Sequence, residues 1–243
     1  MEYDGSSVYD NAEFLQQYLL RRNRQDSPNN IIEKPVLLEL MGDFTGKTVL
    51  DLGCWDGRFG YELLQQGCKY YEGVEGSSNM VHEARTRLDT TNSQIHHATI
   101  EGWNYPQHTY DIAISRLALH YVQDIQPTFG HIHHALVPGG EFIFSVQHPV
   151  LTSSMASAEI SGKRSNWIVD EYFELGKRTE PWIGESVVKY HRTFEAYFQA
   201  LKQAGFTIED VRECSPRPEL FEHQDEFKRR MRIPLFLMFR CVK

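Results

Sequence analysis

The order of apolar and polar positions divides the chain into two unequal parts. Through residue 147, short β-branched or aromatic runs alternate with stretches of helical period. That alternation predicts a mostly parallel sheet with helices on both faces. The runs at 47–52, 69–75, 95–99, 110–115 and 141–146 read as strands, with helices over 58–66, 77–88 and 124–136 between them. Ahead of the first strand, Phe14, Leu15, Tyr18 and Leu19 share one stripe of a helix over 11–22. Ser27-Pro28-Asn29-Asn30 breaks that helix and caps another over 31–41.

The pattern lapses over 148–184, where Ser, Thr, Gly and scattered aromatics follow no sustained period. A long irregular segment in a compact domain predicts a lid or binding loop. Regularity returns with a strand over 187–192, a helix over 193–204 and strands over 206–212 and 233–242, the last two separated by a polar excursion. These boundaries give one domain over 1–243. It comprises a helical cap (1–45), a sheet core (46–147), a lid insertion (148–192) and a C-terminal helix with strands (193–243).

Composition narrows the partners. A formal charge of −8 disfavours nucleic acid and anionic membrane surfaces, and a small-molecule partner fits it better. The start of the chain, Met1-Glu2-Tyr3-Asp4, is acidic and lacks the apolar run of a signal peptide. The longest apolar stretch, 233–239, is too short to span a bilayer. Cys54, Cys68, Cys214 and Cys241 lie far apart without C-x-x-C spacing, as expected of reduced thiols in a cytoplasmic protein.

The chemistry centres on Asp51-Leu52-Gly53-Cys54-Trp55-Asp56-Gly57, placed between a strand and a helix. Strand, glycine turn and helix form the first unit of a nucleotide-binding α/β sheet. Backbone N–H groups at the helix start can approach a ligand there because glycine has no Cβ. This loop resembles the first motif, D-x-G-x-G-x-G, of class I S-adenosylmethionine-dependent methyltransferases, with Trp55 in place of the middle glycine. Gly73-Val74-Glu75-Gly76-Ser77-Ser78-Asn79-Met80 resembles the end of that family's second strand. Ser115-Arg116-Leu117-Ala118-Leu119-His120-Tyr121 resembles the segment after its fourth, and Leu136-Val137-Pro138-Gly139-Gly140 the turn before its fifth. Beyond the core, Gln147-His148-Pro149, Lys189-Tyr190-His191-Arg192-Thr193 and Arg232-Ile233-Pro234-Leu235-Phe236-Leu237 are similar to a bacterial small-molecule-type subgroup.

The resemblance implies a Rossmann-like class I methyltransferase fold with a seven-stranded, mostly parallel sheet. It also implies S-adenosyl-L-methionine as cofactor and S-adenosyl-L-homocysteine as product. Asp51, Gly53, Cys54, Trp55, Gly57 and Phe59 would then cradle the donor, and Glu75 would take the ribose hydroxyls beside Gly76 and Met80. Thr99 replaces the family's adenine-binding Asp, so Ile100 and Glu101 become candidates for the base. Ser115, Arg116 and Leu117 would run beneath the methionine moiety. Tyr18 and Arg22, four apart on one helical face, offer a guanidinium for its carboxylate.

His148 follows the fifth strand and suits a general base, or else shapes the turn with Pro149. His191 is a second catalytic candidate. It and Arg192 could instead bind an anionic group or pair with lid carboxylates. His120, Tyr172, Trp182, Tyr190 and Arg192 are candidates for the acceptor, the lid aromatics either covering it or packing the lid onto the sheet. His131, His133 and His134 lack the spacing and companions of a metal site, so no metal is expected. No G-x-S-x-G elbow points to a hydrolase. A small-molecule O- or N-methyltransferase, monomeric or homodimeric, is the expectation. A non-catalytic donor-binding protein, an RNA methyltransferase and a dinucleotide oxidoreductase remain the alternatives.

Overall fold

The computed structural model describes residues 2–22, 24, 26–158, 164 and 166–243. A short strand, β1 (Glu2–Asp4), leads through a 3-10 segment to helices α1 (Ala12–Arg22) and α2 (Lys34–Met41). Then β2 (Thr48–Leu52), α3 (Arg58–Gln65), β3 (Tyr70–Glu75), α4 (Ser78–Leu88), β4 (Ser93–His97) and β5 (Tyr110–Arg116) follow in alternation. Helix α5 (Ile125–Ala135), strand β6 (Leu136–Gln147) and one turn of helix, α6 (Pro149–Thr152), lead into the lid hairpin β7 (Gly176–Trp182) and β8 (Glu185–His191). Helix α7 (Phe194–Gln203), β9 (Thr207–Arg212), α8 (Gln224–Arg230) and β10 (Phe236–Val242) complete the chain.

Seven strands form the main sheet in the order β4-β3-β2-β5-β6-β10-β9. The β2, β3, β4, β5 and β6 pairings are parallel, and β10 runs antiparallel to both its neighbours. Apolar residues on both sides of the central strands explain the continuous runs in the sequence. Val49, Ile112, Ile114 and Ile143 pack in one core with residues of α2, α3 and α4. Leu50, Leu52, Phe142 and Phe144 pack in the other with residues of α5 and α7. The order reverses between β2 and β5, which opens a crevice at their C-terminal ends.

The structure adds to the sequence expectation at both chain ends and in the lid. β7 and β8 pair antiparallel, and β1 joins β8 in parallel, giving a second, three-stranded sheet. The expected irregular lid therefore ends in a hairpin, whereas the described residues of 153–175 hold only a short 3-10 segment, and residues 159–163 and 165 lie outside the described set. β7 escaped notice because its Lys177, Arg178 and Thr179 carry no apolar alternation. The polar excursion contains α8, which buries no residue completely and so leaves no helical stripe. The third strand ends at His97, so Thr99, Ile100 and Glu101 lie in the following turn. Asp10 Oδ1 accepts from the Ser77 and Ser78 hydroxyls at 2.8 and 3.0 Å, tying the N-terminal segment to the start of α4.

Candidate active site

The glycine turn between β2 and α3 takes a strained path. Gly53 and Gly57 have φ of 80° and 69°, and Trp55 sits between them at 53°. A Cβ on Gly53 would come within 2.5 Å of the Ala118 Cβ, so only glycine fits there. Gly57 is needed for packing, since its Cβ would meet Ala84 and Leu88 of α4 at about 3 Å. Trp55 accepts a conformation that costs a non-glycine residue about 1–2 kcal/mol. Its N–H donates to Glu75 Oε2 at 3.0 Å, and its indole packs edge-on against Tyr18 at 5.6 Å with the Arg22 guanidinium over the ring at 5.6 Å.

A cavity of about 580 Å³ lies above this turn. The cap and the sheet bring together around it Tyr18, Arg22, Asp51, Gly53, Cys54, Trp55 and Phe59. Glu75, Gly76, Thr99, Ile100, Glu101, Arg116 and Leu117, all expected at the donor, join them, as does Tyr190, which was expected at the acceptor but lines this cavity and not the chamber adjoining it. Gly57, Met80 and Ser115 do not line it. Met80 is buried in the cap core, and the Ser115 hydroxyl donates to the Leu52 carbonyl at 2.8 Å. Ser6, Tyr9 and Tyr121 also form its wall, and only Tyr121, the last residue of the Ser115 motif, had any local signal.

Two orphaned polar atoms mark this cavity's wall. Asp51 Oδ2 accepts from the Tyr71 hydroxyl at 2.7 Å, but its buried Oδ1 has no partner, nor has the buried Trp55 indole N–H. Burial pushes the Asp51 carboxyl up to about 7, partly offset by the Tyr71 hydroxyl. Glu75 is also raised by burial, against the N–H groups of Ser77 and Trp55 that favour its charged form. Those two bonds occupy one site on each carboxylate oxygen, leaving capacity for two hydroxyls. Arg116 lines the cavity while bonded through Nε and Nη2 to the buried Glu33, which also accepts from Ser145.

A second chamber of about 760 Å³ adjoins the first, the two sharing Tyr9, Tyr18, Arg22, Asn29, Leu117 and Tyr121 as walls. Leu117, a non-glycine residue at φ 55°, stands in that partition. His120 and Trp182 line the second chamber. His120 Nδ1 accepts from the Gln147 N–H at 3.4 Å, so Nε2 carries the hydrogen of its neutral ring. Burial, reinforced by Lys189 and Arg192, pushes its pKa well below the usual histidine value.

The catalytic expectation for His148 and His191 does not match their placement, because neither lines either cavity. His148 caps α6 by accepting from the Val150 N–H at 3.2 Å, and its Nε2 meets Glu213 at 3.0 Å. His191 donates from Nε2 to the Tyr172 carbonyl at 2.9 Å and bonds the Thr152 hydroxyl through Nδ1 at 2.7 Å. Both rings thus have both nitrogens engaged in holding the lid and the end of the sheet. Arg192 is likewise structural, donating to the Val122 and Gln123 carbonyls at 2.6 and 2.7 Å. Tyr172 also lies outside both cavities, its hydroxyl accepting from the Phe194 N–H.

A seven-stranded sheet of this order with one antiparallel strand, carrying a glycine turn and a buried acid at its switch point, defines a class I methyltransferase. The sequence profile of the methyltransferase-domain family matches residues 20–211, and the chain belongs to that family. It is 31% identical over 217 residues to an uncharacterised protein of Haemophilus influenzae, covering 85% of each chain. An S-adenosylmethionine-dependent methyltransferase from Mesorhizobium loti superposes with a TM-score of 0.80 at 33% identity, over 87% of this chain and 97% of that one. A putative S-adenosylmethionine-dependent methyltransferase from Listeria monocytogenes gives 0.78 at 34% identity, over 87% and 96%. The chain is thus an S-adenosylmethionine-dependent methyltransferase. No helix among its described residues is long and apolar enough to cross a membrane.

Proposed function

We propose that the chain moves a methyl group from S-adenosylmethionine in the first cavity to an oxygen or nitrogen of a small molecule in the second chamber. The observation that carries this reading is the shared partition. Two cavities of ligand size meet at Tyr18, Leu117 and Tyr121, and the first is lined by Asp51, one of whose buried carboxylate oxygens lacks a partner. The donor fits the first cavity's polar groups. Asp51 Oδ1 would take its ammonium, Arg22 its carboxylate, Glu75 the ribose hydroxyls and Ile100 a face of the adenine. When bound, the donor supplies a methyl made electrophilic by its sulfonium.

The protein's own contribution is placement, since fixing two reactants in line can supply much of a barrier's reduction. Trp182 packs edge-on against the partition residues Tyr9 and Tyr18 at 6.4 and 5.3 Å, an aromatic screen that would keep water from the reacting atoms. His120, neutral and with its hydrogen on Nε2, would hold an acceptor oxygen or nitrogen by donating to it. A radiolabelled-donor screen against cell extract, with small metabolites and RNA fractionated separately, tests the reading. Label in the small-metabolite fraction is expected. Label confined to RNA, or donor binding without transfer to any fraction, would overturn it.

A further inference from the structure

The second chamber has a charge opposite to that of the chain as a whole. Against a net charge of −8, its described walls bring seven cationic side chains together with three carboxylates. Each of those carboxylates already has a cation. Glu180 pairs with Lys189 and with Arg164 at 3.6 Å, Glu226 pairs with Arg229 and Arg230, and Asp26 with Arg24 at 3.5 Å. The surplus is therefore positive, and guanidinium groups cannot relieve it by losing protons. Burial and the neighbouring Arg229 push Arg230 below the usual arginine range. Trp167, Trp182, Leu151 and Phe236 supply an apolar wall beside these charges. Lys189, only 5% exposed, stands over the Trp182 and Tyr121 rings at 5.4 and 5.7 Å, next to the partition.

We propose that this chamber binds a small organic anion, a carboxylate or phosphate ester with an apolar body, and that such an anion is the methyl acceptor. The arginines hold the acidic group by charge-assisted hydrogen bonds, and the indoles pack the apolar body so that a hydroxyl or amine on its far end reaches the partition. There the oxygen or nitrogen bonds the methyl carbon as the donor's carbon–sulfur bond breaks, leaving S-adenosylhomocysteine, and the acceptor's proton passes to water. The word acceptor rests on the methyl-transfer reading above, whereas the binding of an anion does not.

Calorimetric titrations with phenyl phosphate, benzoate, benzyl alcohol and benzylamine, each with and without saturating S-adenosylhomocysteine, test the proposal. At least one of the two acids is expected to bind, the alcohol and amine not, with affinity falling as salt rises. The double variant Arg21→Gln/Arg230→Gln should lose about tenfold in the acid's affinity while keeping that for S-adenosylhomocysteine, and Arg230→Lys should recover part of the loss. Urea melts of each variant establish that it folds, and the single Arg230→Gln change serves if the double one does not. Failure of both acids to bind under either condition overturns the proposal. So does equal binding of the neutral alcohol, an unchanged affinity in the arginine variant, or preference for a short RNA oligonucleotide. Failure of S-adenosylhomocysteine alone to bind would instead count against the donor site, with the anion titration still read on the free protein.

Discussion

Asp51 makes the donor site sensitive to pH in a direction that can be worked out in advance. Its carboxyl is buried, has one partner in Tyr71, and titrates near 7 against an ordinary value close to 4. Below about pH 4 both folded and unfolded chains carry the proton, and Asp51 contributes no pH-dependent term. As pH rises toward 7 the unfolded chain ionises while the native one keeps its proton, so stability falls by about 1.4 kcal/mol per pH unit. Above 7 the loss is complete and the dependence flattens. Asp51→Asn retains an oxygen to accept from Tyr71 and does not titrate. Its unpaired amide costs about 1–3 kcal/mol at every pH and drops out of the comparison. Urea denaturation of both proteins at about pH 5 and about pH 8 should therefore show the wild type losing about 3 kcal/mol relative to the variant. Saturating S-adenosylhomocysteine, whose ammonium favours the carboxylate, should abolish most of that difference, with proton release on binding at about pH 6. A gap that stays constant with pH in the free protein would refute the reasoning, because Asp51 would then be ionised in both states.

Other substitutions probe the parts that hold this site. Glu33→Gln would leave the Arg116 guanidinium without its carboxylate in a buried position, and should cost about 3–5 kcal/mol in urea denaturation. Gly60→Ala would place a Cβ 2.3 Å from the Tyr71 ring, forcing it off Asp51. A loss of about 1–3 kcal/mol by the same assay, with weaker S-adenosylhomocysteine binding by calorimetry, is expected. Trp55→Gly relieves the positive φ but strips the indole from Tyr18 and Arg22. Donor affinity should fall, and a gain of about tenfold or more would mean that the indole obstructs the cavity. His120, held neutral by burial, should add no inflection to the rate near the usual histidine pKa, and a step there in a pH–rate profile would contradict its assignment as a donor.

The central strands and the donor loop were legible because local physics writes them. Val49-Leu50-Asp51-Leu52 is buried on both faces, so it reads as an apolar run broken only by the site carboxylate of Asp51, and Gly53 must be glycine because Ala118 occupies the space of its Cβ. Position on a strand end shows that a residue lies near the crevice, but not where its side chain turns. That is why His148 and His120, both near such ends, part company. The first is drawn back by Glu213, distant by 65 residues, while the second lines a ligand chamber. His191 is settled by Thr152 and Tyr172, on elements whose folding no periodicity announced. The chamber's charge was hidden for a related reason. Its cations come from α1, the turn after it, the lid and α8, each an ordinary solvated stretch when read alone. Net charge sums over the whole surface and discards arrangement, so −8 for the chain coexists with a chamber where arginine outnumbers carboxylate. A long-range field weak enough to be screened at the surface can be strong in a partly enclosed space. The acidic composition argues against nucleic acid as a partner, but does not argue against an acidic acceptor.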